Sequence, residues 1–289
     1  MREEAWAFAL SVAVIIFSRD RPMQLHALLD SLWENATMDP LGTKPTIIFT
    51  FSDEHFHDGY RNTVLDHQGW CEFVREEDFQ RDYMDALPES GYVVHFVDDD
   101  VVHGRANLQH AAFELDRDDQ LLTFSLRLGL NTTYCYSLDQ PQPLPASIVN
   151  IGGMLFWRFV GAQHDAAYPF SLDGHVLRVD DIRQMLQASI YRSPNELEQT
   201  LASRAWMRSS QRPKMACYAR SCVTGVPANV VTTTHNNRYA MGEHTAEWLN
   251  QAYLTGWRID WRRMNWSAVD AAHADVPFVF CNQADKEAA

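Results

Sequence analysis

Three consecutive aspartates, Asp98, Asp99 and Asp100, close an apolar run that reads Tyr92-Val93-Val94-His95-Phe96-Val97. Carboxylates this close raise one another's pKa unless a cation stands among them. Hard divalent ions take oxygen ligands, and Mg²⁺ is commonly held by one or two carboxylates together with substrate phosphates. The cluster can therefore hold a metal ion that faces a phosphorylated ligand. The plainer alternative is an acidic turn after a strand. In an unbroken strand alternate side chains share a face. Asp98 and Asp100 are then the expected pair of ligands, one of them free to serve a ribose or a metal-bound water instead.

Such a cluster needs a scaffold, and the flanking sequence supplies one. Val12 to Phe17 reads as a buried parallel strand. Asp20 is placed to cap a helix with Pro22 in its first turn, and Leu25, Leu28, Leu29 and Leu32 give that helix one apolar face. Thr46 to Phe51 is a second strand, ending in Ser52-Asp53-Glu54. This is a β-α-β unit, and in open α/β sheets ligands bind just beyond the carboxyl ends of the strands. Further strands are expected over 71–74, 91–97, 121–126, 154–159, 176–178 and 229–233. Helices are expected over 78–87, 106–115, 181–190, from the Ser193-Pro194-Asn195-Glu196 capping box to about Trp206, and over 245–254. Asp180 is a candidate cap for the helix that starts at Asp181.

Composition sets limits. The 289 residues are 46% hydrophobic, enough for a large core. The formal charge of −14 disfavours nucleic acid and anionic lipid as partners. Five scattered cysteines without zinc spacing suit free thiols in a reducing cytosol. The apolar run from Ala5 to Phe17 has an acidic flank and is too short to span a bilayer, so it reads as a first strand. A cytoplasmic protein with at most peripheral membrane contact is expected.

The stretch Val14-Ile15-Ile16-Phe17-Ser18-Arg19-Asp20-Arg21-Pro22, with Leu25, Leu29, Ser31 and Leu32, resembles the opening of family 2-type glycosyltransferases of the GT-A fold. Val97-Asp98-Asp99-Asp100 resembles their D-x-D motif at the expected distance downstream. The resemblance implies a Rossmann-like mixed sheet flanked by helices. Residues 1–240 would form the catalytic domain, with a nucleotide-binding half over about 11–105 and an acceptor half over about 106–240. Residues 241–289 would be a helical extension packed on it.

The same resemblance implies a nucleotide-diphosphate sugar donor, with UDP-sugars favoured, a Mn²⁺ or Mg²⁺ cofactor, and a glycan or glycolipid acceptor. Phe17, Ser18 and Arg21 would lie near the nucleotide, and Asp53 would hold base or ribose. His235 would join Asp98 and Asp100 as a third metal ligand. Arg127 would meet the pyrophosphate or the sugar. Such enzymes carry an acidic pair at the start of a helix in the second half, and Asp180-Asp181 has that placement, although it is Asp-Asp rather than Glu-Asp. Asp181 is then the expected general base of an inverting transfer, with Asp173 its competitor. A non-catalytic nucleotide- or glycan-binding module of the same fold is an alternative. A sugar-nucleotide pyrophosphorylase would need a Gly-rich phosphate loop, and Ser18 to Pro22 contains no glycine. A phosphohydrolase or nuclease would need acidic partners in further motifs.

Overall fold

A computed structural model describes residues 10–37, 44–231 and 244–282. Its centre is a nine-stranded mixed sheet. The strands are β1 (Val12–Arg19), β2 (Thr46–Thr50), β3 (Glu72–Arg75), β4 (Tyr92–Val97), β5 (Leu121–Ser125), β6 (Val149–Ile151), β7 (Met154–Arg158), β8 (His175–Arg178) and β9 (Lys214–Tyr218). Their order across the sheet is β6-β7-β9-β5-β8-β4-β1-β2-β3. From β4 to β3 the pairing is parallel throughout. Strand β8 lies antiparallel between β4 and β5. The turn that precedes β8 therefore arrives at the edge where β4 and β5 finish.

Alternation within β1 sorts its side chains into two layers. Val12, Val14 and Ile16 pack with Leu25, Leu28 and Leu29 of helix α1 (Pro22–Asn35) and Ala111 of α4 (Leu108–Arg117). Ala13, Ile15 and Phe17 pack with Phe79 and Tyr83 of α3 (Phe79–Ala86), Ile182 of α5 (Val179–Leu186) and Leu197 of α6 (Pro194–Arg204). The mixed α/β sheet flanked by helices is thus the architecture expected from the sequence.

Among the described residues, the segment 244–282 is less helical than expected. It holds α7 (Ala246–Leu254), two short 3₁₀ turns and an antiparallel pair, Trp257–Ile259 with Phe280–Asn282. A third apolar cluster, with Met23, Ala27, Leu249, Tyr253 and Trp261, seats this segment on α1. Among the described residues no helix is long and apolar enough to cross a membrane.

Helix α2 (His57–His67) crosses the start of α1 at Gly59. A Cβ there would stand 2.2 Å from Asn250 Oδ1 and 2.6 Å from Pro22 Cγ. Asn250 is fully buried and Pro22 is a rigid ring, so neither yields easily. Gly59→Ala is expected to cost about 1–3 kcal/mol by overpacking, read as a lower urea midpoint at unchanged slope.

Several local expectations change. Asp20 does not cap α1. It adopts a positive φ of 56°, and its carboxylate accepts from Ser52 N (2.7 Å) and Ser52 Oγ (2.9 Å), tying the end of β1 to the end of β2. Helix α5 starts at Val179 after Arg178 and has no side-chain cap, and Asp180 is an exposed residue of its first turn. Residues 229–231 form no strand, and the remainder of that expected strand lies outside the described residues.

Candidate active site

A cleft of about 880 Å³ opens along the carboxyl ends of β1, β2 and β4 and runs to the start of α6. Phe17, Ser18, Arg21, Asp98, Arg127 and Asp173, each singled out in the sequence, all line it. Asp99, Asp165, Glu198, Asn229 and His273 line it as well.

Arg21 organises the end of the cleft formed by β1 and β4. Its Nη1 donates to Asp98 Oδ1 at 2.9 Å and Asp99 Oδ2 at 3.1 Å. Its Nε donates to Asn229 Oδ1 at 2.8 Å, and its Nη2 to the Asn229 carbonyl. Burial alone would lower the Arg21 pKa, but Asp99 and Asp98 more than offset it, and the pKa is raised. The second oxygen of Asp98 accepts from Ser18 Oγ (3.0 Å) and Arg19 N (2.9 Å). Tyr60 from α2 completes the set, 2.7 Å from Ser18 Oγ and accepting from Arg21 N at 3.2 Å. Burial, partly offset by Arg21, raises the Asp98 carboxyl to about 6.

The expected alternation of Asp98 and Asp100 does not occur. Strand β4 stops at Val97, residues 98 and 99 form a turn, and a short strand Asp100–Val102 begins against Val223–Gly225. A turn has no two-residue period, so Asp98 and Asp99 both reach Arg21. Asp100 is fully buried just behind the cleft lining, close enough to feel the charges of Asp99 and Asp173. Its Oδ2 accepts from Val97 N at 3.1 Å, while its buried Oδ1 has no hydrogen-bond partner. Burial, then the charges of Asp173 and Asp99, raise its pKa well above the carboxylate range. A buried carboxylate in this condition is one that a cation would relieve. The acidic turn therefore fits a divalent ion, with Asp99 and Asp100 as the carboxylates least committed to other partners.

Also lining the cleft, Arg127 follows β5 and donates to Asp173 Oδ2 at 2.5 Å, with Ser171 Oγ also in its grasp. His273 Nε2 stands 3.3 Å from the same carboxylate. Although burial would raise the Asp173 pKa, Arg127 and His273 hold it well below the usual range. Asp173 is thus a firmly ionised partner for Arg127 and a feeble proton acceptor.

Glu198, one turn into α6, is the acidic group that sequence reasoning missed. Its Oε2 accepts from Leu172 N at 3.2 Å, and Tyr168 also bonds to it. Burial, reinforced by Asp173, pushes its carboxyl up to about 7. Its only local signal is its place in the first turns of a well-capped helix, with Ser193 Oγ accepting from Glu196 N.

Two other expected site residues lie elsewhere. Asp53 is exposed, does not line the cleft, and caps the 3₁₀ turn Glu54–Phe56 by accepting from His55 N. Asp181 is 1% exposed and does not line the cleft. It is clasped by Arg208 (Nε at 2.7 Å) and Arg212 (Nε at 3.1 Å) beneath the sheet. A carboxylate so enclosed cannot reach a substrate hydroxyl, and its role is to anchor α5 to the 206–212 segment. Asp181→Asn is expected to lower stability by about 3–5 kcal/mol, because two arginines lose a buried partner. Chemical denaturation of wild type and variant checks it. His235 lies outside the described residues.

No family model matches the chain. Over 195 residues it is 25% identical to the bifunctional glycosyltransferase pgtA of Dictyostelium discoideum, a match covering 62% of this chain and 25% of that protein. The chain thus spans about a quarter of the length of the curated relative it matches. Among solved structures, S. aureus TarS is similar with a TM-score of 0.46 and 14% identity, covering 76% of this chain and 37% of TarS. The mannosyltransferase PcManGT of Pyrobaculum calidifontis, in complex with GDP-Man and Mn²⁺, is similar with a TM-score of 0.43 and 12% identity, covering 78% of this chain and 61% of that one.

Proposed function

We propose that this chain is a metal-dependent GT-A glycosyltransferase that moves a sugar from a nucleotide-diphosphate donor to a hydroxyl of a glycan or glycolipid acceptor, with inversion and with Glu198 as general base. The observation that carries the reading is the acidic turn whose Asp98 and Asp99 line a large cleft that Glu198 also lines. The glycosyltransferase relative over 195 residues supports the same class of chemistry.

In this reading the half formed by residues 11–105 takes the nucleotide. Ser18 and Arg21 sit at the carboxyl end of β1, where such a ligand is received. The Asp98–Arg21 pair sets the position of the turn, and Asp99 and Asp100 hold the cation. That ion, Mn²⁺ or Mg²⁺, supplies positive charge against the diphosphate leaving group. Arg127 offers further positive charge, kept in place by Asp173 and Ser171. The Glu198 carboxylate, with a pKa close to neutral, accepts the proton of the attacking hydroxyl, since a base works best when its pKa lies near the working pH.

The test is thermal-shift or calorimetric titration with UDP-, GDP- and dTDP-sugars, with and without Mn²⁺. One of these donors is expected to bind only when metal is present, and Asp100→Asn to lose that metal-dependent binding. A protein that responds to no nucleotide in the presence of Mn²⁺ is not such a transferase. The anomeric configuration of the product, read by NMR, decides inversion.

A further inference from the structure

Outside the cleft, α1 and α2 bring two histidines and an aspartate to one point. His26 and Asp30 lie one turn apart on α1, and His67 is the last residue of α2. One ligand atom from each can be chosen so that all three lie within 4.8 Å of one another. His26 Nδ1 is 3.7 Å from Asp30 Oδ2, and His67 Nε2 is 3.9 Å from Asp30 Oδ1. These separations exceed the range of a hydrogen bond. They approach the spacing of about 3.4 Å that follows for neighbouring ligands on a tetrahedral zinc with bonds near 2.1 Å.

Two further observations point to a ligand at this spot. His67 is 4% exposed, and its Nε2 is buried without a hydrogen-bond partner. A polar atom in that position is costly unless something occupies the space it faces. The other nitrogen of His26, Nε2, stands 3.4 Å from Asp66 Oδ2, and Arg258 reaches the same oxygen at 3.7 Å. A carboxylate behind an imidazole fixes its tautomer and leaves the opposite nitrogen as a lone pair, the usual support of a metal-bound histidine.

We propose that His26 Nδ1, Asp30 and His67 Nε2 form a second cation site, built for a borderline first-row divalent metal of which zinc is the type, with Asp66 as the positioning residue behind His26. Two imidazoles and one carboxylate suit zinc rather than the hard ions that an all-carboxylate turn takes. Asp30 is partly exposed, its side chain 38% accessible, so the fourth position opens to water. The ion cross-links α1 to α2, and through Asp66 and Arg258 it extends the clamp to the C-terminal segment. Arg21 lies just ahead of the same helix, so the clamp also steadies the helix that leads away from the cleft.

The experiment is Zn²⁺ titration of the full chain against a chromophoric chelator, paired with thermal unfolding in Zn²⁺ and in Mn²⁺. Wild type is expected to bind one Zn²⁺ more tightly than Mn²⁺ at this site and to melt higher when loaded. His67→Gln and Asp30→Asn should abolish that binding, and Asp66→Asn should weaken it by about 10- to 100-fold. Asp100→Asn should leave it intact, which separates this site from the cleft. If His67→Gln does not fold, Asp30→Asn alone decides, because it alters a partly exposed side chain. Zn²⁺ affinity equal to wild type in Asp30→Asn, or no Zn²⁺ bound by wild type, overturns the proposal.

Discussion

Glu198→Gln is expected to lower turnover by about 10²- to 10⁴-fold, the usual worth of a positioned base, with little change in donor affinity. Glutamine keeps an oxygen for the Leu172 N–H and removes only the capacity to take a proton. The pH profile sharpens the test. A base must be ionised to act, so wild-type turnover should rise with pH through about 7, where burial has placed this carboxyl. That ascending limb should disappear in the variant. Stability gives an independent reading with the opposite sign. The folded protein holds this proton more tightly than the unfolded chain, whose glutamate titrates near 4.5. Ionising Glu198 between those two values therefore favours unfolding, and its contribution to stability falls as pH rises across that window. Glutamine has no such dependence. An unchanged turnover and an unchanged pH limb would return the role of base to another residue.

Arg21→Ala is expected to be the most damaging single change at the end of the cleft proposed to take the nucleotide. The guanidinium joins Asp98, Asp99 and Asn229 in one buried cluster, and its removal leaves two carboxylates facing each other without a counter-charge. Breaking a buried pair from one side costs about 3–5 kcal/mol. Denaturant midpoints should fall accordingly, and nucleotide binding should be lost even at temperatures where the variant is folded. Arg21→Lys separates charge from geometry. A lysine restores a cation but cannot address Asp98, Asp99 and Asn229 together from one planar fork. It should recover part of the stability and little of the binding. Full recovery of both would mean that the cluster needs only a positive charge.

The sequence disclosed the parts of this molecule that depend on local pattern. Buried parallel strands appear as uninterrupted apolar runs, so β1, β2 and β4 and their polar ends were legible, and with them Asp98, while Ser18 and Arg21 followed from the family resemblance of the opening stretch. Arg127 could be found as Asp98 was, since it follows the apolar β5. What could not be read is whatever depends on two distant segments meeting. Asp181 has the placement of a helix-start acid, and only the arrival of Arg208 and Arg212 makes it an internal anchor. Glu198 sits in a polar helix that looks solvated until the 168–172 segment covers it. His273 reaches Asp173 from a hundred residues downstream with no motif around it. The alternation argument at Asp98–Asp100 failed for a different reason: a strand period was carried three residues past the end of the strand.

The reversed strand β8 also bears on how this chain is made. Strand β4 ends at Val97, and the neighbour that covers its second edge begins only at His175. At translation speeds of about 5–20 residues per second, the ribosome needs roughly 4–16 s to deliver the intervening chain. Throughout that interval β4 presents an open, strongly apolar border to the cell, as does β5 once it emerges. An exposed border of this kind invites aggregation, so nascent chains stalled between these two points should depend on chaperones far more than the finished protein does.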